Sequence, residues 1–295
     1  MCPAIMRQTP VSGRSRAFFI LLGMLLLAGC SGMVEKAGNR FATNLTLVML
    51  DNDDPVVVEA GSASYLLLLD ALVRQDPESA AFRQAAASLN SAYAGAFVKD
   101  PVRAAALTDK ALNYAVDALC LRQKALCDVR KLPVDDVKAR LEDLQRDDVA
   151  LLYTAGSAWA GWVQAHSEDW NAVADMPRIE ALMQRVVVLD EGYQSGAAHL
   201  YLGGLATVLP PALGGRPEVG KVHFERAISL SDGHNLMAKV LYAKNYARGI
   251  FDRELHDKLL KEVLDADPRY PGWTLSNMLA RQEADALLKS ADDFF

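Results

Sequence analysis

Apolar residues recur at intervals of three and four along most of this chain, and short polar or proline-bearing phrases interrupt them at regular distances. The densest stretch is His199 to Ser231, HLYLGGLATVLPPALGGRPEVGKVHFERAISLS. It predicts an apolar helix from Ala197 to Val208, a stop at Pro210-Pro211, and a glycine-rich loop from Ala212 to Arg216. A second helix opens at Arg216-Pro217-Glu218, where proline in the first turn loses no hydrogen bond because its missing N–H would have no helical partner. On that helix Gly220, Phe224, Ala227, Ile228 and Ser231 fall on one face, the face that must be buried.

The rest of the mature chain reads the same way. Val34 to Leu50 is amphipathic, with Val34, Ala37, Phe41, Leu45 and Val48 on one side. Asp54-Pro55, Asp76-Pro77 and Asp100-Pro101 each look like an aspartate cap followed by a first-turn proline. They predict helices over Pro55–Arg74, Pro77–Phe97 and Pro101–Leu121. Small residues crowd the second of these (Ala85, Ala86, Ala87, Ala92, Ala94, Gly95), which lets neighbouring helices approach closely. An irregular link from Arg122 to Pro133 precedes a short helix over Val134–Leu144. Further helices are predicted over Asp148–His166, Pro177–Asp190, Asn235–Arg248, Asp252–Ala266 and about Ser276–Lys289. The spacing Phe224-x-x-Ala227-x-x-Leu230 is how a tetratricopeptide (TPR) helix alternates large and small residues. The helix ends at Leu189, Leu230 and Leu264 recur at a loose period of that kind. The expected fold is all-α: a TPR-like α-solenoid of about 11–12 helices in antiparallel pairs, forming a single domain over residues 30–295.

The N-terminus has another character. Arg7, Arg14 and Arg16 precede an apolar run from Ala17 to Leu27, too short to span a bilayer and laid out as a secretory signal. It ends in Leu27-Ala28-Gly29-Cys30, which resembles a bacterial lipoprotein precursor. The resemblance implies a signal peptide over residues 1–29, cleavage before Cys30 and acylation of Cys30. Ser31 after the cysteine implies passage to the outer membrane. The chain carries a formal charge of −6, and losing the three leader arginines leaves −9. Such a surface should not seek nucleic-acid phosphates or anionic lipid, so the acyl groups would hold the protein to the membrane.

A family likeness emerges from several phrases in fixed order. They are Leu202-Gly203-Gly204, Leu209-Pro210, Leu213-Gly214-Gly215-Arg216-Pro217-Glu218, His223-Phe224-Glu225-Arg226-Ala227-Ile228 and Val240-x-Tyr242-Ala243. Leu259-Leu260-x-x-Val263-Leu264-x-x-Asp267-Pro268 and Ala280-Arg281-x-x-Ala284-x-x-Leu287-Leu288 follow. Together with the leader they resemble the T component of tripartite ATP-independent periplasmic (TRAP) transporter systems. The resemblance implies a periplasmic lipoprotein with degenerate TPR motifs, assembled as a homotrimer. Each protomer would carry a cleft or pore and dock the system's solute-binding P component.

Reactive chemistry is hard to find. None of the five histidines pairs at a metal-ligand spacing, and no nucleophile elbow or phosphate-binding loop is present. His199 and His223 read as ordinary helix histidines. The glycine pairs read as close packing and a tight turn, and the carboxylate pairs as caps and solvated ends. No catalytic residue, metal site or cofactor is expected. Cys120 and Cys127 remain after processing: on one continuous helix they would lie roughly 10 Å apart and could not bond, whereas a helix ending near Leu121 would let them close a disulfide. Tyr153, Trp159, Trp162, Tyr201, Tyr242 and Tyr246 beside small residues read as core, or as the lining of an apolar cleft for a small hydrophobic ligand. Two functions stay open: an accessory module of solute uptake that binds the receptor, and a TPR scaffold for envelope protein assembly with no small-molecule role.

Overall fold

Aspartate and serine side chains set where the first helices begin. The computed structural model describes residues 44–295, so the leader, Cys30 and the start of the helix expected over Val34–Leu50 lie outside the described residues. Residues 44–50 are helical. At the head of α1 (Pro55–Gln75) the Asp54 carboxylate accepts from the Val56 and Val57 N–H groups at 3.0 and 3.3 Å. The next start departs from expectation. Asp76 closes α1, its N–H donating to Leu72 C=O at 3.0 Å, and Pro77-Glu78 forms a turn. Ser79 then caps α2 (Ala80–Phe97), its hydroxyl accepting from Phe82 N–H at 3.3 Å. An aspartate already ending one helix does not begin another, and the hydroxyl three residues on takes that role. Asp100 caps α3 (Pro101–Arg122) as its sequence implies, accepting from Val102 N–H at 2.9 Å.

The helices that follow are α4 (Val134–Leu141), α5 (Val149–Ala165), α6 (Met176–Asp190), α7 (Ala197–Thr207) and α8 (Pro217–Leu230). Then come α9 (Leu236–Leu241), which runs on as a π turn over Tyr242–Ala247, α10 (Arg253–Asp265) and α11 (Thr274–Lys289). No strand occurs among the described residues, and the fold is all-α. From Leu50 to Phe295 the chain packs as one compact unit. Its helices meet largely in sequence order: α1 on α2, α2 on α3, α3 on α5, α5 on α6, α6 on α7 and α7 on α8. Beyond α8, helices α9, α10 and α11 pack on one another, and α11 also touches α1. Arg269 pairs there with Asp53 at 3.0 Å, and Gly272 N–H donates to Asp51 at 2.5 Å.

Two apolar cores result. One is built from α2, α3, α5 and α6, with Leu112, Leu119, Leu152, Trp159, Ile179, Leu182 and Met183 at or near zero exposure. The other collects Phe224, Val240, Tyr242, Tyr246, Leu260 and Val263 from α8 to α11. Helix α7 serves both, with Leu202 in the first and Leu200 against the second.

The seam between α7 and α8 depends on missing side chains. A Cβ on Gly203 would lie 2.8 Å from the Phe224 ring. One on Gly220 would lie 2.4 Å from Thr207 Cγ2 and 3.0 Å from the Gly203 carbonyl oxygen. The two backbones therefore approach where one helix is bare and the other presents a fully buried aromatic ring.

Two expectations follow for unfolding in urea. Phe224→Ala should destabilise by about 3–5 kcal/mol, through lost burial plus a cavity between two helices that relax only partly. Gly203→Ala, although it favours helix by propensity, should cost about 1–3 kcal/mol because the rigid ring facing it cannot yield. A neutral or stabilising Gly203→Ala would mean the helices stand further apart than described.

Candidate functional site

The loop joining α7 to α8 folds tightly because its prolines and glycines leave few conformations. Leu213 N–H and Gly215 N–H both donate to Pro210 C=O, at 2.9 and 3.1 Å, and Arg216 N–H returns to Ala206 C=O at 2.7 Å. The hairpin then brings His199 of α7 opposite His223 of α8 across the seam. His199 Nδ1 and His223 Nδ1 lie 2.8 Å apart. His199 is only 5% exposed, so the ring expected to be an ordinary helix histidine finds its partner in a second histidine. Its Nε2 stands 3.4 Å from Glu191 Oε1 and makes no hydrogen bond. Arg226 grips the Glu191 carboxylate through two contacts of 2.8 and 2.6 Å, holding its pKa down to about 2. Burial lowers both histidines below the ordinary value; Glu191 opposes this at His199, and His199 adds to it at His223. Beside them Arg216 Nη2 donates to both Glu180 oxygens, at 2.9 and 2.8 Å.

On the other side of α8 the π turn presents two phenols. Tyr242 Oη donates to Glu225 at 3.1 Å and Tyr246 Oη to Glu218 at 3.0 Å. Arg248 N–H reaches back five residues to Ala243 C=O, and the wider turn sets both tyrosines toward α8. Phe224 stacks on Tyr242 with centroids 5.7 Å apart, and Tyr242 meets Tyr246 at 5.3 Å. Burial, then the nearby carboxylates, raise both phenol pKa values.

The six aromatic candidates do not form one surface. Tyr153 and Tyr201 come together at 5.8 Å and are joined by Tyr193 at 5.3 Å from Tyr153; all three are partly buried at the edge of the first core. The turn bearing Tyr193 is left-handed at Gln194 and Ser195, an unusual backbone for residues with side chains. Trp159 is fully buried, its indole N–H donating to Asp175 at 3.0 Å. Trp162 lies further out, donating to Asp109 at 2.6 Å, stacked on His166 at 4.8 Å and covered by the Arg130 guanidinium at 4.6 Å. Tyr242 and Tyr246 belong to the second core.

Helix α3 ends at Arg122, the chain turns back, and Cys120 and Cys127 are joined by a disulfide. A recess of about 280 Å³ is lined by Lys138, Glu180, Gln184 and Arg216 among others; a broader one of about 520 Å³ lies over the charged face of α10. Neither is lined by any of the six aromatics. No group of three or more histidine, cysteine, aspartate or glutamate side chains converges as a metal site among the described residues.

Sequence periodicity missed the histidine pair, the π turn and the glutamate partners of its tyrosines. The hairpin readable from Pro210, Pro211 and the glycines brings α7 and α8 together, but it does not by itself fix which of their residues meet. The π turn leaves no mark in the three-and-four spacing of Leu236, Val240, Ala243 and Ala247.

A search among curated proteins found no match. The family model for the TRAP transporter T-component matches residues 51–295, from the turn ahead of α1 to the last residue. The chain belongs to the TRAP transporter T-component family and is an accessory component of a TRAP system.

Proposed function

We propose that this protein is a non-enzymatic periplasmic lipoprotein that docks the solute-binding P component of a TRAP uptake system and shares a small hydrophobic ligand with it. The observation that carries the reading is the family match across residues 51–295, which takes in all but the first residue of the compact unit. The lipobox-like Leu27-Ala28-Gly29-Cys30 supports attachment through Cys30, to the outer membrane in view of Ser31. The helices packed in chain order support a TPR-like solenoid, a scaffold that presents surfaces rather than reactive groups. A homotrimer follows from the family likeness.

For the ligand, the best-placed surface is the partly buried trio Tyr153, Tyr193 and Tyr201. Three rings offer an apolar wall, and their hydroxyls can orient a polar end of a bound molecule. Burial raises all three phenol pKa values, so they stay neutral hydrogen-bond donors across physiological pH. Trp159, Tyr242 and Tyr246 are enclosed within the cores and serve this surface only indirectly.

Cross-linking in intact cells followed by mass spectrometry tests the docking. A periplasmic solute receptor should be recovered specifically; recovery of unrelated envelope proteins without a receptor would favour the scaffold reading and sink this one. Attachment has its own test. Cys30→Ala should move the protein from the membrane fraction to another fraction, and unchanged membrane attachment would contradict a lipid on Cys30.

A further inference from the structure

Two imidazole nitrogens 2.8 Å apart require one to carry a hydrogen and the other a lone pair. The surroundings decide which. Glu191, gripped by Arg226, lies 3.4 Å from His199 Nε2. A hydrogen on that nitrogen faces the carboxylate favourably, whereas a lone pair there would face negative charge. His199 is therefore the Nε2–H tautomer, and its Nδ1 accepts from the Nδ1–H of His223. The row runs from His223 through His199 toward Glu191, its hydrogens directed at the carboxylate, which accepts from Arg226 on its other side.

This row can take one proton without breaking. The free nitrogen is His223 Nε2, and a proton there leaves the bond between the rings in place. A second proton has only His199 Nδ1 to bind. That would set two N–H groups against each other at 2.8 Å and bring two cations together in a buried setting, where repulsion is poorly screened. The rings would have to part. His199 lies one turn before Gly203 and His223 stands next to Phe224, the pair whose close contact holds the two backbones together, so repulsion between the rings acts directly on the seam.

We propose that His199 and His223 form an acid-operated latch on the seam between α7 and α8, closed until the pair binds a second proton and open thereafter. The charged groups acting on the pair come from both sides. Glu180 and Glu191, on and just after α6, favour protonation, while Arg226 on α8 and Arg216 ahead of it oppose it. Tyr153 of α5 meets Tyr201, the α7 residue two places beyond His199. Folded-state pKa values below the ordinary 6.5 mean that the unfolded chain binds more protons as pH falls. The latch is at full strength above pH 6.5 and is lost as pH drops through the folded-state values. Helix α7 carries Tyr201 and α8 carries Phe224, so opening alters both aromatic clusters at once.

Nitrogen-15 NMR of the imidazoles in the full mature chain, titrated from pH 8 to pH 4.5, tests the proposal alongside amide exchange corrected for its intrinsic pH dependence. The expected result is an Nε2–H tautomer at His199, two separated protonation steps, and α7–α8 amide protection that falls by up to about tenfold per pH unit as pH drops toward the second step and levels off below it. His223→Gln and His199→Phe should each abolish that loss while the other helices behave as in the parent. Independent titration of the two rings near pH 6.5 would overturn the proposal. So would seam protection indifferent to the second proton, or a loss that persists in both variants. Should either variant fail to fold, the titration of the parent chain decides alone.

Discussion

The closeness of α7 and α8 is the constraint on which the rest of this molecule depends. Helices normally stand apart by the width of their side chains, and here two glycines remove that width. Gly203 makes room for the Phe224 ring, and Gly220 lets Thr207 and the Gly203 carbonyl approach. Phe224 can then serve two purposes, filling the seam on one side and stacking on Tyr242 on the other. Helix α7 in turn packs Leu202 into the first core and Leu200 against the second. Without the seam the described chain would hold two small cores; with it, burial in one half reinforces burial in the other.

Polar groups along α8 follow from the same geometry. Bringing the helices close forces buried or half-buried donors and acceptors to find partners, since leaving one unpaired costs about 1–3 kcal/mol. Glu218 and Glu225 receive the two phenols of the π turn, Arg216 holds Glu180, Arg226 holds Glu191, and His199 takes His223. These are contacts that fix helices in register. Membership of the TRAP transporter T-component family makes the chain an accessory component of a TRAP system.

Much of this was legible in the residues. The helices and most of their boundaries followed from apolar spacing and from caps such as Asp54 and Asp100, because local hydrogen bonding decides them. The α7–α8 hairpin could be read from Pro210, Pro211 and the glycines around it. The start of α2 was misplaced because Asp76-Pro77 carries the same signature as Asp54-Pro55, and only the competing role of Asp76 at the end of α1 separates them. Tyr153 and Tyr201 meet, whereas Trp159 is sealed by its bond to Asp175 and Trp162 turns to Asp109 and Arg130. Those partners lie far away in sequence, and periodicity along one helix carries no information about what faces it.

Native-state hydrogen exchange at neutral pH, with denaturant raised below the unfolding midpoint, measures most directly whether the seam unites the two halves. If it does, amides of α7 and α8 should open only with the most protected amides of α5, α6 and α10, at a common free energy. Free exchange along α7 and α8 while both cores stay protected would contradict the account.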